Sequence, residues 1–102
     1  ISPHVVTRMI NTDEAVLVDI RDAKEYKAGH ISGAINIPVA KIMDRIAELE
    51  PHRDKAIIVA DKVGQQSGAI GRKLQQKEFS VLRLTGGMME WHNQKLPVVK
   101  GK

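Results

Sequence analysis

The chain has 102 residues, one domain's worth, and 42% of them are hydrophobic and 27% charged, the balance of an ordinary soluble globular fold. It contains no cysteine, which excludes disulfides, thiolate metal sites and thiol nucleophiles. Sixteen Lys and Arg against twelve Asp and Glu leave a formal charge of +4, a mild bias towards anionic partners that identifies none of them. Ser2 and Pro3 predict a helix start, with a hydroxyl to cap free N–H groups and a ring preset for the first helical position. Val5, Val6, Met9 and Ile10 then share one face at helical spacing, and Asn11-Thr12-Asp13 supplies turn residues to end the element. Ala15 to Ile20 is a nearly unbroken apolar run rich in β-branched residues, as a central parallel strand covered on both faces requires. Arg21 to Ala28 is polar and helix-tolerant and closes on Gly29, and Ala34 to Ile37, before Pro38, reads as a short second strand.

An amphipathic helix is predicted next, its buried stripe made by Ile42, Met43, Ile46 and Leu49 and its end set by Pro51. Ala56 to Ala60 is another buried strand, with Asp61 at its carboxyl end, and a loop leads from there into a helix whose inner face is Ala69, Ile70 and Leu74. Gly68 and Gly71 weaken that helix by about 1 kcal/mol each relative to Ala and imply close backbone packing. Ser80 to Leu84 is the last strand, and Gly86-Gly87 opens a final helix through Met88, Met89 and Trp91 that Leu96-Pro97 ends. Strands alternating with helices at this spacing predict one α/β domain over residues 1–102, a mainly parallel central sheet flanked by helices. No run approaches the ~20 apolar residues of a membrane span, and no signal-peptide pattern opens the chain.

In such a sheet, ligands bind beyond the carboxyl ends of the strands, where a helix N-terminus offers N–H groups to an anion. The segment in that position is Asp61-Lys62-Val63-Gly64-Gln65-Gln66-Ser67, and Gly64 permits a tight loop with inward amides. Two further blocks stand out. Val18-Asp19-Ile20-Arg21, Glu25-Tyr26, Gly29-His30-Ile31, Gly33-Ala34 and Asn36-Ile37-Pro38 form the first, and Gly86-Gly87, Trp91 and Leu96-Pro97-Val98 form the second. In order and extent these blocks resemble the two signatures of the rhodanese homology domain, across almost the whole chain.

That resemblance implies a three-layer sandwich and a loop of pattern C-x-x-G-x-R-S, whose cysteine carries a persulfide inside a ring of amides and whose arginine helps hold the anionic sulfur donor. Gly64 and Ser67 match the pattern, but Asp61 stands in the nucleophile position and Gln66 in the arginine position. A carboxylate forms no persulfide, and the chain has no other thiol to replace the missing one. Two readings of Asp61 stay open: it plugs the loop's anion nest from within, mimicking the charged persulfide, or it is a solvated aspartate at a strand end. A phosphoryl-accepting role would need further carboxylates for magnesium, and the loop has none.

The remaining candidates read as structural. His4, His30, His52 and His92 stand at no metal-ligand spacing, and His30 is expected to hydrogen-bond backbone in its turn. Asp19, Arg21 and Glu25 form a charged cluster near the loop for which a structural role is favoured. The glycines at 64, 68 and 71 fit no nucleotide-binding pattern. Met88, Met89 and Trp91 are expected to pack on the loop or the core, and any of them left exposed there would form a partner patch. Three scattered aromatics and a dispersed set of basic residues, including the Lys100-Gly101-Lys102 end, argue against nucleic-acid binding.

The expectation is therefore a catalytically inactive rhodanese-like domain, a monomer without cofactor or metal, that binds a protein partner or small anion through residues 61–67. The competing expectation is a sulfurtransferase-related enzyme that borrows a partner's thiol. Ile1 stands where a translated chain would begin with methionine, so an upstream segment is expected. Some bacterial single-domain proteins that this chain resembles carry a hydrophobic anchor there and an aspartate in the cysteine position, which implies a cytoplasmic domain tethered to the inner membrane.

Overall fold

Parallel strands need long crossovers, and this chain separates most of its strands accordingly. The computed structural model describes residues 1–101, so Lys102 of the basic end lies outside the described residues. In chain order the elements are α1 (Pro3–Asn11), β1 (Ala15–Asp19), α2 (Ala23–Ala28), β2 (Ile35–Asn36), two 3₁₀ segments (Val39–Lys41 and Ile46–His52), β3 (Ala56–Ala60), α3 (Ser67–Gln76), β4 (Val81–Arg83) and α4 (Gly87–Asn93). All four strands are parallel, in the order β2-β1-β3-β4.

The α/β architecture expected from the sequence is the one adopted, and its layers follow from side-chain alternation along the central strands. Ala15 and Leu17 of β1 and Ile58 and Ala60 of β3 face one way, against Val6 of α1 and Met88 and Trp91 of α4. Val18, Ile57 and Val59 face the other way, against Ile70 and Leu74 of α3 and against Ile42 and Leu49 of the 3₁₀ region. Burying each such Leu, Ile or Val contributes about 1.5–3 kcal/mol, which is how a chain without disulfides holds two covered sheet faces. The register pairs Ala15 with Ala56 and Asp19 with Ala60, so the carboxyl ends of the two central strands lie side by side. Asp19 and Asp61 thereby become neighbours at one end of the sheet.

Helix α1 starts as its sequence requires, with Ser2 Oγ accepting from Val5 N–H at 3.4 Å and Pro3 in the first turn. The amphipathic helix expected at 42–49 does not form as an α-helix. A turn connects two 3₁₀ segments there, and the second runs through Pro51 to His52. Pro51 has no N–H to give to Ala47, and its ring would strike that carbonyl in an α-helix, whereas tighter 3₁₀ turns keep residues three apart in line. Ile42 and Leu49 are buried all the same, and Met43 and Ile46 pack beside them. Strands β1, β2 and β4 are each shorter than the apolar runs that encode them, and α4 stops at Asn93, ahead of Leu96-Pro97. Lys95 turns the chain there with φ +57°, and Trp91 Nε1–H donates to Pro97 O at 3.0 Å.

Candidate functional site

The 61–67 segment bridges the end of β3 and the start of α3, and Asp61 organises it. Its side chain is buried and points into the loop. Oδ1 accepts from Gly64 N–H at 2.7 Å, and Oδ2 accepts from Gln66 N–H at 2.7 Å and Ser67 N–H at 3.0 Å. Gln66 makes no side-chain cap for α3, so the helix is capped instead by a carboxylate several residues upstream, at its positive end. Gly64 is at φ +94°, the left-handed geometry that turns its N–H back towards Asp61. Lys62, Gln65 and Gln66 are exposed, Val63 and Gly64 half-buried, and Ser67 buried. Six of the seven expected residues thus form the loop and Ser67 begins α3, and the inward hydrogen bonds run from the main-chain N–H groups of Gly64, Gln66 and Ser67 to the Asp61 carboxylate.

The wall behind the loop is the start of α4. Met88 N–H donates to Asp61 O at 2.8 Å and Met89 N–H to Lys62 O at 2.9 Å, which ties the first turn of α4 to the first two loop residues. Gly87, at φ +62°, packs so closely that a Cβ there would stand 2.6 Å from Asp61 O and 2.7 Å from Asp61 Oδ1. That contact explains the second glycine of the Gly86-Gly87 pair, and it joins residues far apart in sequence. Of the three side chains that follow, Met88 and Trp91 enter the core, and Met89 is 53% exposed beside Lys62.

Asp19, Arg21 and Glu25 do not make a single cluster. Asp19 is fully buried and pairs with Arg21, whose Nη2 lies 2.7 Å from Oδ2 and also donates to Gly29 O at 2.8 Å. Asn36 Nδ2–H donates to Asp19 O and Arg21 O at 2.9 Å each, so the Asn36 amide fastens the turn after β1 to β2. Glu25 faces the loop instead, with Oε2 3.7 Å from Lys62 Nζ. His30 behaves as expected: Nδ1 is 2.8 Å from Tyr26 O, and its ring leans on that of Tyr26. Burial, with a smaller contribution from the Asp19 charge, pushes the Tyr26 phenol above its ordinary 10.0, and its O–H donates to Ala34 O at 2.6 Å. Among the described residues no three His, Asp or Glu side chains gather as a metal site would require, and no helix is long and apolar enough to cross a membrane.

Residues 2–94 match the family model described as Rhodanese-like domain. The chain belongs to this family. YibN of Escherichia coli strain K12 is 39% identical over 98 residues, which span 94% of this chain and 68% of YibN. PspE of the same strain, named a thiosulfate sulfurtransferase, is 31% identical over 84 residues, 82% of this chain and 78% of PspE. The crystal structure of a rhodanese-related protein from Thermoplasma volcanium superposes with a TM-score of 0.88 at 28% identity, covering 97% of this chain and 95% of that one. The chain therefore has the rhodanese-like fold, and it holds no thiol anywhere.

Proposed function

We propose that this chain is a catalytically inactive rhodanese-like domain that acts as a binding or regulatory module through its 61–67 loop. The observation that carries this reading is the seat of the Asp61 carboxylate on the amides of Gly64, Gln66 and Ser67. Inward amides of this kind hold a transferable anionic sulfur in members that have the cysteine. A carboxylate anchored at the strand end occupies the same kind of seat permanently, keeps the loop in its liganded shape and forms no sulfur bond. The inner anion site being filled from within, a protein partner or small anion meets the outer face, where Lys62, Gln65 and Gln66 are exposed and Met89 adds an apolar contact. The reading needs no cofactor.

The test is thiosulfate-to-cyanide transfer by the purified domain, with intact-mass measurement for a retained sulfur atom. Neither turnover nor adduct is expected. Turnover appearing only with an added thiol would instead favour a sulfurtransferase that borrows its nucleophile. A gain-of-function variant probes the cradle itself: Asp61→Cys with Gln66→Arg should acquire measurable sulfur transfer. Silence from that variant, in a protein whose circular dichroism matches the parent, would mean that the amides do not form a working anion seat.

A further inference from the structure

Arg21 is held so that one of its nitrogens has no task inside the fold. Nε and Nη2 donate to the Asp19 carboxylate, and Nη2 also donates to Gly29 O. Nη1 donates to nothing among the described residues. The side chain is only 8% exposed, and no buried side-chain nitrogen or oxygen among the described residues lacks a partner, so Nη1 reaches the surface. An arginine has donors and no acceptor, and a donor left unmatched on a nearly buried group calls for an acceptor from outside.

The surface it meets is a cleft of about 290 Å³ between α2 and α4. Arg21 and Glu25 line it from the α2 side, Met88, Met89 and His92 from α4, and Lys62 from the loop. Lys62 Nζ also makes no hydrogen bond among the described residues. It stands 3.7 Å from Glu25 Oε2 on a side chain that is 71% exposed, an ion pair too long for a hydrogen bond and easily given up. Glu25 is the one acidic residue lining the cleft, and the chain as a whole carries a formal charge of +4, so the occupant these donors favour is an anion. The space lies below the ~300–1,000 Å³ of ordinary small-molecule pockets and suits a single anchoring side chain. Met89, more than half exposed, adds an apolar rim that a small acid would leave in water and a polypeptide would cover.

We propose that this cleft takes a glutamate or aspartate side chain of a partner protein, presented beside an apolar residue that covers Met89. The carboxylate accepts from Arg21 Nη1 and Lys62 Nζ, and Lys62 leaves Glu25 to meet it. Arg21 is already fixed by Asp19 and Gly29, so the partner's carboxylate finds this donor in place. The assignment rests on the reading of the 61–67 loop as a binding surface and gives that surface a chemical preference.

The probe is a pentapeptide, glycine-leucine-glutamate-leucine-glycine, acetylated and amidated at its ends and titrated into the isotope-labelled domain while main-chain and arginine guanidinium resonances are followed. Saturable shifts are expected at the Arg21 guanidinium and at the amides of Lys62, Met89 and His92. The glutamine version of the peptide, and sodium acetate, should each bind about fivefold more weakly or worse. Lys62→Ala should weaken the glutamate peptide about fivefold, and Glu25→Gln should tighten it about twofold by freeing Lys62, both with parent-like circular dichroism. Equal binding of the glutamine peptide, an unmoved Arg21 guanidinium, indifference to Lys62→Ala, or binding no tighter after Glu25→Gln would overturn the assignment. So would acetate as strong as the peptide, since the cleft would then serve small anions. Shifts confined to Gln65 and Gln66 would keep the loop as a binding surface and refute the cleft. Thiosulfate turnover by the parent would overturn the reading of the loop instead, so the two failures are told apart.

Discussion

Two buried aspartates end up side by side at the carboxyl end of the sheet, and they are neutralised in opposite ways. Asp19, closing β1, is held by a cation: Arg21 reaches both its oxygens and also donates its own main-chain N–H at 3.0 Å. Asp61, following β3, has no cation at hydrogen-bond distance among the described residues and rests on three main-chain N–H groups. A carboxylate matched to one guanidinium is a fastener that only its partner fits. A carboxylate seated on amides occupies a cradle that belongs to the backbone.

The largest effect is expected at the fastener. Asp19→Ala leaves the Arg21 guanidinium, 8% exposed, without its countercharge, and should cost about 3–5 kcal/mol in urea unfolding. Asp61→Ala removes one acceptor group from three amides and should cost about 2–3 kcal/mol, part of it recovered by water entering the loop. The two variants separate most clearly when sulfate or thiosulfate is added. A free anion can enter the vacated cradle from the exposed side of the loop, and binding at a hundred times its Kd restores about 2.7 kcal/mol. The melting temperature of Asp61→Ala should therefore climb with anion concentration beyond the parent's own response. Asp19→Ala, whose gap lies inside the fold, should not climb. Equal responses from both variants would erase the distinction between fastener and cradle.

The sheet was legible in the sequence because strands covered on both faces must be apolar throughout, and Ala15 to Ile20 and Ala56 to Ala60 have no other use for such runs. The 42–49 segment was not legible as 3₁₀, because Ile42, Ile46 and Leu49 are spaced by four and three and suit either helix; the geometry turns on what Pro51 does to the carbonyl of Ala47. The loop's position followed from the signature blocks on either side of it. The inward turn of Asp61 did not, since an aspartate at a strand end suits solvent equally well and the decision comes from the amides behind it. The role of Gly87 was hidden for a related reason: it depends on a long-range approach, of α4 to Asp61, that no local pattern encodes.

The smallest effect tests whether the two carboxylates differ in electrostatic reach as well as in partners. Tyr26 is the only tyrosine, so its ionisation can be followed through the ultraviolet absorbance of tyrosinate. Burial first, and the Asp19 charge second, hold its phenol above 10.0 in the folded chain. A phenol whose pKa is raised by folding contributes stability that is fully present below the unfolded value of 10.0 and is lost as pH rises through the higher folded value. Asp19→Asn should lower the folded midpoint towards 10.0 without reaching it, because burial remains, and should soften the alkaline loss of stability to match. Asp61→Asn should leave the midpoint where it is, since Asp61 is not among the charges that act on Tyr26. A midpoint moved equally by both variants would mean that the Arg21 pairing does not make Asp19 a local charge, and the contrast between the two aspartates would then rest on hydrogen-bond partners alone.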